Sequence, residues 1–312
     1  MLAAGAMLDY TEAIQSQQLQ VNTRLGRHQF RQFFNAADLI LVNGNHHEAT
    51  QQVVIIDPAK ENSLRKRLSQ LTNVRLILLA EGMPEAFDFV ENGLPDAMAI
   101  PRLRLEDTAG IIDFFAQEML RQVPVLNGLV LAGGHSARMG RDKGEIAWHG
   151  KPQREYMADL LSDCCTEVFI SCRPDQTLES AYPLLPDTFA ELGPFGAILS
   201  AFREQPDRAW LVTACDLPLL DRATLDFLLT NRQSRRVATA FQNPYDKMPE
   251  PLITIWEPKS YAVLLAFLAQ GYSCPRKVLI NADALVLSAP NPAVLTNVNT
   301  PEEAERTGHE IQ

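Results

Sequence analysis

Apolar positions along this chain collect into short uninterrupted runs, separated by longer stretches in which apolar residues recur at helical spacing. That alternation is the pattern of buried strands joined by crossover helices. In the N-terminal part the runs DLILV (38–42), QVVIID (52–57), VRLILLA (74–80) and DAMAI (96–100) read as short strands. ENSLRKRLSQL and EDTAGIIDFFAQEML, between and after them, have helical periodicity.

Beyond RQVPVLN (121–127) the alternation lengthens. It predicts strands at 127–131, 168–171 and 209–214 and helices at 153–161, 196–203 and 222–230. Further elements are expected at 237–241, 252–256, 261–269 and 284–287. The seam divides the chain into a small α/β domain, 1–123, and a larger one, 124–312. Strands alternating with helices in the latter imply an α/β fold with a doubly wound, mostly parallel sheet.

Composition narrows the function classes. The chain has 312 residues, 46% hydrophobic and 21% charged, enough for two cores. Its net charge of -10 argues against an extended nucleic-acid surface, so an anionic ligand would need local cations or a metal. No basic leader precedes the first residues and no apolar run is long enough to span a bilayer, so a cytoplasmic protein is expected. The five cysteines form no C-x-x-C pair and read as reduced thiols.

The first strand of the second domain runs into LAGGHSARMGRDK (131–143). Gly133, Gly134 and Gly140 let backbone amides approach a ligand, and Arg138, Arg141 and Lys143 add positive charge. Neither G-x-x-x-x-G-K-[ST] nor G-x-G-x-x-G occurs, which disfavours a P-loop enzyme or a common dinucleotide dehydrogenase. The bland alternative is a tight turn with solvated cations. Asp216, in ACDLP just past a buried strand, can hold Mg2+ over a triphosphate. Its other reading is the cap of the next helix, but Asp221 already occupies that position. Asp187 ends an apolar stretch, and GPFG forms a corner before the helix near Gly196.

LAGGHSARMGRDK, LLPD with GPFGAI, ACDLP and LTNVNTPEEA, in that order, resemble the molybdenum cofactor guanylyltransferase family of Rossmann-like nucleotidyltransferases. The resemblance covers nearly all of the second domain. It implies that Leu131, Ala132, Gly133, Gly134, Arg138 and Lys143 embrace the triphosphate and that Asp187 contacts the nucleoside. It further implies that Asp216 ligates Mg2+ and that Asn297 and Asn299 face the pterin. In such enzymes the terminal phosphate of molybdopterin attacks the α-phosphate of GTP and expels pyrophosphate. One departure is VFISCRPDQ: Ser171, Cys172 and Arg173 stand where the family often carries an asparagine, which affects base or ribose contacts. LAGG, with Gly134, is consistent with GTP rather than CTP.

The first domain, over residues 33–118, looks like the C-terminal half of the companion protein B of molybdopterin guanine dinucleotide synthesis, a GTP-binding adaptor. No Walker A sequence precedes that stretch, and Asn43 stands where an acidic residue is usual. A degenerate, non-hydrolysing domain is expected, one that docks a molybdoenzyme or cofactor-insertion partner, presents the cofactor or pairs subunits. His46, His47 and Glu48 invite a metal reading, but adjacent histidines diverge on an extended chain, and a surface loop is favoured. Lys247, Glu250, His149 and Arg154 are secondary candidates for the substrate side or for ordinary loop positions. Two further readings stay open: a cytidylyltransferase or other enzyme of the same fold, and a non-catalytic nucleotide-binding scaffold.

Overall fold

A computed structural model of the chain describes residues 8–13, 16–22, 37–42, 51–134 and 142–311. The chain divides into two compact units, Met1–Gln122 and Val123–Gln312. Arg138, His46, His47 and Glu48 lie outside the described residues. No helix among the described residues is long and apolar enough to cross a membrane.

In the first unit, β1 (Leu8–Ala13) and β2 (Ser16–Val21) form an antiparallel hairpin. A separate parallel sheet contains β3 (Gln52–Ile56), β4 (Val74–Leu79) and β5 (Arg102–Arg104). Its helices are α1 (Glu61–Arg65), α2 (Asp88–Gly93) and α3 (Thr108–Leu120). Val54 and Ile56 from β3 meet Ile77 and Leu79 from β4 and Val90 from α2, because alternate strand positions share a face.

Two of the expected strands are corrected here. Residues 38–42 carry no strand among the described residues, and Leu41 is 71% exposed. Apolar content alone does not make a strand without a backbone partner for its ladder. Within 96–100 the chain instead makes a 3-10 turn at Ala97–Ala99, entered through Asp96 at a left-handed φ of 50°. Pro95 and Pro101 bracket this turn, and the third parallel strand forms after the second proline, at β5.

Among its described residues the second unit carries seven strands: β6 (Leu126–Leu131), β7 (Val168–Cys172), β8 (Leu184–Pro186), β9 (Ala209–Ala214), β10 (Ala238–Gln242), β11 (Pro249–Trp256) and β12 (Ala284–Leu287). Their spatial order is β12-β10-β11-β9-β6-β7-β8, and only β11 runs antiparallel to its neighbours. The helices are α4 (Gln153–Ser162), α5 (Pro194–Glu204), α6 (Arg222–Thr230), α7 (Ser260–Ala269), α8 (Pro275–Asn281) and α9 (Pro301–Ile311).

Strand alternation sorts the core onto two faces. Val130 and Leu211 join Met157 and Leu161 of α4 and Leu225 and Leu228 of α6. Leu129, Trp210 and Val212 join Phe195, Ile198 and Phe202 of α5, with Leu264 of α7 and Val278 of α8. The sheet is therefore doubly wound, as the sequence pattern implies. The sequence reading had no counterpart for β8, α8 or α9. β8 is only three residues long and ends in proline, too short for a period to register.

β6 lies inside the order, next to the central strand β9: the chain leaves it toward β7 and β8, then returns on its other side as β9. Such a switch in winding direction opens a crevice at the carboxyl ends of the strands. The walls of that crevice depend on close backbone approaches. A Cβ at Gly196, in the first turn of α5, would lie 2.1 Å from the Phe189 carbonyl oxygen. In the same place, Ser200 Oγ accepts from the Thr188 and Phe189 amides at 2.9 and 3.3 Å and donates to the Gly196 carbonyl at 2.7 Å. Gly196→Ala should destabilise the protein by about 3 kcal/mol, the upper end of ordinary overpacking costs. Gly134→Ala, where a Cβ meets nothing within 4 Å, should leave the thermal midpoint nearly unchanged. Thermal unfolding of the two variants measures the contrast.

Candidate active site

Four connections leave the carboxyl ends of β6, β7, β8 and β9 and enclose a cleft of about 1090 Å3. Leu131, Ala132, Gly133, Gly134, Lys143, Asp187, Asp216 and Asn299 all line it. Residues as far apart in the chain as Leu131 and Asn299 are thus brought to one place. Asn297 is not among the lining residues, and its Oδ1 is buried without a hydrogen-bond partner.

Lys143 is the hub of one wall. It opens a 3-10 turn, Lys143–Glu145, capped by Asp142, whose carboxylate accepts from the Gly144 amide at 2.9 Å. Lys143 Nζ donates to Asn299 Oδ1 at 2.8 Å and to Asp216 Oδ2 at 3.3 Å. Both side chains of the ion pair are largely withdrawn from water, at 18% and 16% exposure. Asn299 is held in turn by the start of α9: Glu303 Oε2 accepts from the Asn299 and Thr300 amides at 2.7 and 3.1 Å. Thr300 and Glu303 thereby form a reciprocal cap. Asp216 is fixed through its backbone, where its carbonyl accepts from Val298 N at 2.8 Å.

Asp221 does cap α6, accepting from Thr224 N at 2.8 Å, so Asp216 has no capping work. Burial pushes the Asp216 carboxyl above its ordinary pKa, while the Lys143 ammonium pulls it back. Its second oxygen, Oδ1, is buried and has no hydrogen-bond partner among the described residues. A divalent cation would satisfy that oxygen and favour the charged form. Among the described residues no group of three His, Cys, Asp or Glu side chains is placed to hold a metal. A cation at Asp216 would therefore complete its shell with phosphate oxygens and water.

Asp187 follows β8 and faces the opposite wall. Ser171 Oγ donates to its Oδ1 at 2.8 Å, and a Cβ on Gly133 would approach its Oδ2 to 3.3 Å. Burial raises its pKa from 3.8 to about 6, and the Ser171 hydrogen bond partly opposes that rise. Beside the cleft, burial pushes the thiols of Cys172 and Cys215 up, which disfavours thiolate nucleophiles.

Several residues singled out from sequence lie elsewhere. Arg154 is buried against Glu145 and donates to the Glu179 carbonyl at 3.1 Å, so it faces no ligand in the cleft. His149 stacks on Tyr156 with centroids 3.6 Å apart, and its Nε2 lies 2.9 Å from the Pro218 carbonyl oxygen. Glu250 is buried and accepts from Asn243 Nδ2 at 3.1 Å, and neither it nor Lys247 lines the cleft. Conversely, Asp142 and Asp175, which the sequence pattern does not single out, line the cleft together with Ser171 and Arg173. For Arg173 and Asp175 the signal is their position just past the end of β7.

A crevice at a winding switch, walled by glycine backbone, one lysine and separated carboxylates, belongs to a nucleotidyltransferase of the Rossmann-like α/β class. Such enzymes need charge and placement more than a protein nucleophile. Residues 128–285 match the family model of the MobA-like NTP transferase domain, and the chain belongs to that family. The match leaves the first unit outside it.

Curated relatives agree. A molybdenum cofactor guanylyltransferase of Xanthomonas euvesicatoria is 33% identical over 191 residues, covering 59% of this chain and 94% of that protein. A molybdenum cofactor biosynthesis bifunctional protein of Synechocystis is 35% identical over 202 residues, covering 64% of this chain and 56% of that protein. Among solved structures, the molybdopterin-guanine dinucleotide biosynthesis protein A of Archaeoglobus fulgidus superposes with a TM-score of 0.51 at 21% identity. It covers 59% of this chain and 97% of its own. A nucleotidyl transferase of Methanothermobacter thermautotroptrophicus gives 0.50 at 15% identity, covering 60% and 97%. These two likenesses establish the fold.

The raised pKa of Asp187 has a direct consequence. Its native state binds a proton more tightly than its unfolded state, so the group favours folding below pH 3.8, and that contribution is lost as pH rises toward about 6. Asp187→Asn should therefore gain stability relative to the parent across that window and keep the gain at neutral pH. Ser171→Ala should move the midpoint of the window upward. Thermal midpoints from pH 4 to 8 test both, and parallel curves for parent and Asp187→Asn would contradict the assignment.

Proposed function

We propose that the second unit transfers GMP from GTP to molybdopterin, forming molybdopterin guanine dinucleotide and pyrophosphate. The observation that carries this reading is the Lys143–Asp216–Asn299 cluster, set in the crevice beside the glycine backbone of residues 133–134. The names of the curated relatives support the choice of acceptor.

In the transfer, an oxygen of the molybdopterin terminal phosphate forms a bond to the α-phosphorus of GTP. The bond from that phosphorus to the bridging oxygen of the β-phosphate breaks, and the electron pair leaves with pyrophosphate. The glycine amides and the Lys143 ammonium hold the triphosphate and offset charge that builds on its oxygens. Arg138, in the same loop sequence, adds a second cation in this reading. Asp187, an acceptor when ionised, binds the nucleoside end. Asn299 keeps Lys143 aimed into the cleft, and Asn297 is assigned to the pterin side only through the family resemblance.

Mg2+ is the proposed cofactor, held by Asp216 through the oxygen that none of the described residues satisfies. Bound there, it supplies Lewis-acid neutralisation of the phosphates. The first unit is proposed to be a degenerate adaptor that docks a molybdoenzyme or cofactor-insertion partner, with no nucleotide turnover of its own.

Turnover of molybdopterin with Mg2+ and GTP, CTP or ATP, followed by pyrophosphate and dinucleotide product, tests the reading. GTP-selective product is expected. Asp216→Asn, which keeps the size of the side chain, and Lys143→Ala should each lower kcat by about 100-fold or more. CTP preference would move the enzyme to the cytidylyl branch, and tight GTP binding without product from the parent would indicate a scaffold. Gly134→Ala should weaken GTP use more than CTP use, because its Cβ projects into open space in the cleft. An equal loss for both nucleotides would remove Gly134 from base selection.

A further inference from the structure

The two ends of the glycine loop are held by one short stretch, Arg173 to Gln176, that follows β7. Gln176 Nε2 donates to the Ala132 carbonyl and to Asp142 Oδ2, both at 3.3 Å. Its Oε1 accepts from the Arg173 amide at 3.2 Å. One amide side chain thus reaches both the residue that leads into the loop and the residue that leads out of it. Arg173 Nη1 donates to the carbonyls of Gly133 and Gly134, at 3.0 and 3.4 Å, and its Nε lies 3.3 Å from Asp175 Oδ1.

The direction of these bonds matters. In a trans peptide the C=O and the following N–H point in opposite directions. Binding the Ala132 carbonyl to Gln176 therefore turns the Gly133 N–H away from it, and binding the Gly133 carbonyl to Arg173 does the same for the Gly134 N–H. Glycine gives these peptides the rotational freedom that makes such orientation necessary. On the exit side, Asp142 caps the turn that carries Lys143, so Gln176 also fixes where that ammonium starts.

We infer that Arg173 and Gln176 are positioning residues for nucleotide binding, clasping both ends of the glycine loop so that the Gly133 and Gly134 amides and Lys143 are oriented before nucleotide arrives. This assignment rests on the nucleotidyl-transfer reading of the cleft. Neither side chain needs to touch the reacting atoms. Arg173 is spent on loop carbonyls, which accounts for an arginine at a position where base or ribose contacts were in question.

Gln176→Glu is the informative variant. It retains the oxygen that accepts from Arg173, loses both donated bonds, and sets a negative charge beside Asp142. Loss of the two donated bonds should raise the KM for GTP about tenfold, while the KM for molybdopterin stays within about twofold. Arg173→Lys, with one ammonium in place of a guanidinium fork, should shift in the same direction without full rescue. Hydrogen exchange of the ligand-free protein supplies a readout independent of turnover: the Gly144 amide, which donates to the Asp142 carboxylate that Gln176 holds, should exchange faster in Gln176→Glu, with the core of β6 unchanged. Unchanged exchange at the Gly144 amide together with an unchanged KM for GTP would overturn the clasp. A parent protein that makes no dinucleotide would sink the functional reading alone, because the exchange comparison still judges the clasp.

Discussion

The site depends on a lysine and an aspartate that share a partly dry crevice. Burying either charge alone is costly, and removing one partner from a buried pair leaves the other uncompensated, at a cost of about 3–5 kcal/mol. Lys143 and Asp216 meet at 3.3 Å, with Asn299 taking a further donor of the lysine at 2.8 Å. Three remote parts of the chain must arrive together for that to happen: the turn after the glycine loop, the end of β9 and the entry to α9. The double winding of the sheet supplies the first two, since β6 and β9 are parallel neighbours. The reciprocal cap of α9 supplies the third, and Trp148 Nε1, donating to the Ala304 carbonyl at 3.2 Å, ties that helix to the segment after Lys143.

Much of this was legible from residue order because it follows from period and chemistry. Buried parallel strands announce themselves as apolar runs, and β9 and α6 coincide with their expected bounds at Ala209–Ala214 and Arg222–Thr230. Asp216 could be separated from a capping role because Asp221 stood one helix turn closer to the periodic segment. What could not be read were relations between distant residues. Nothing in the pattern pairs Asn299 with Lys143, and nothing in VFISCRPDQ says that Gln176 spans the loop from Ala132 to Asp142. The strand misread at 96–100 has a local cause: two alanines and a methionine look like a strand by hydrophobicity, yet Asp96 turns the chain and leaves Met98 83% exposed.

Gly196 and Gly133 illustrate two different demands on a residue without a side chain. At Gly196 the neighbour is a fixed carbonyl at 2.1 Å from any Cβ, so the requirement is one of packing and supports the wall that carries Asp187. At Gly133 the neighbours are Asp187 Oδ2 and Arg173 N, at 3.3 and 3.4 Å, so the requirement concerns the cleft itself. Both glycines were visible in the sequence, but only the three-dimensional neighbours separate scaffold from site.

Charge poses the final constraint. Among the described residues lining the cleft, Lys143 and Arg173 face Asp142, Asp175, Asp187, Glu191 and Asp216, an excess of carboxylates in a chain that is acidic throughout. A triphosphate cannot approach such a surface on backbone amides alone. The Lys143 ammonium is shared between Asp216 and Asn299, so neutralising that carboxylate and freeing more of the lysine for phosphate would both favour the nucleotide. A divalent ion at the unsatisfied Oδ1 of Asp216 would do both things at once, neutralising the carboxylate and releasing the lysine toward the nucleotide.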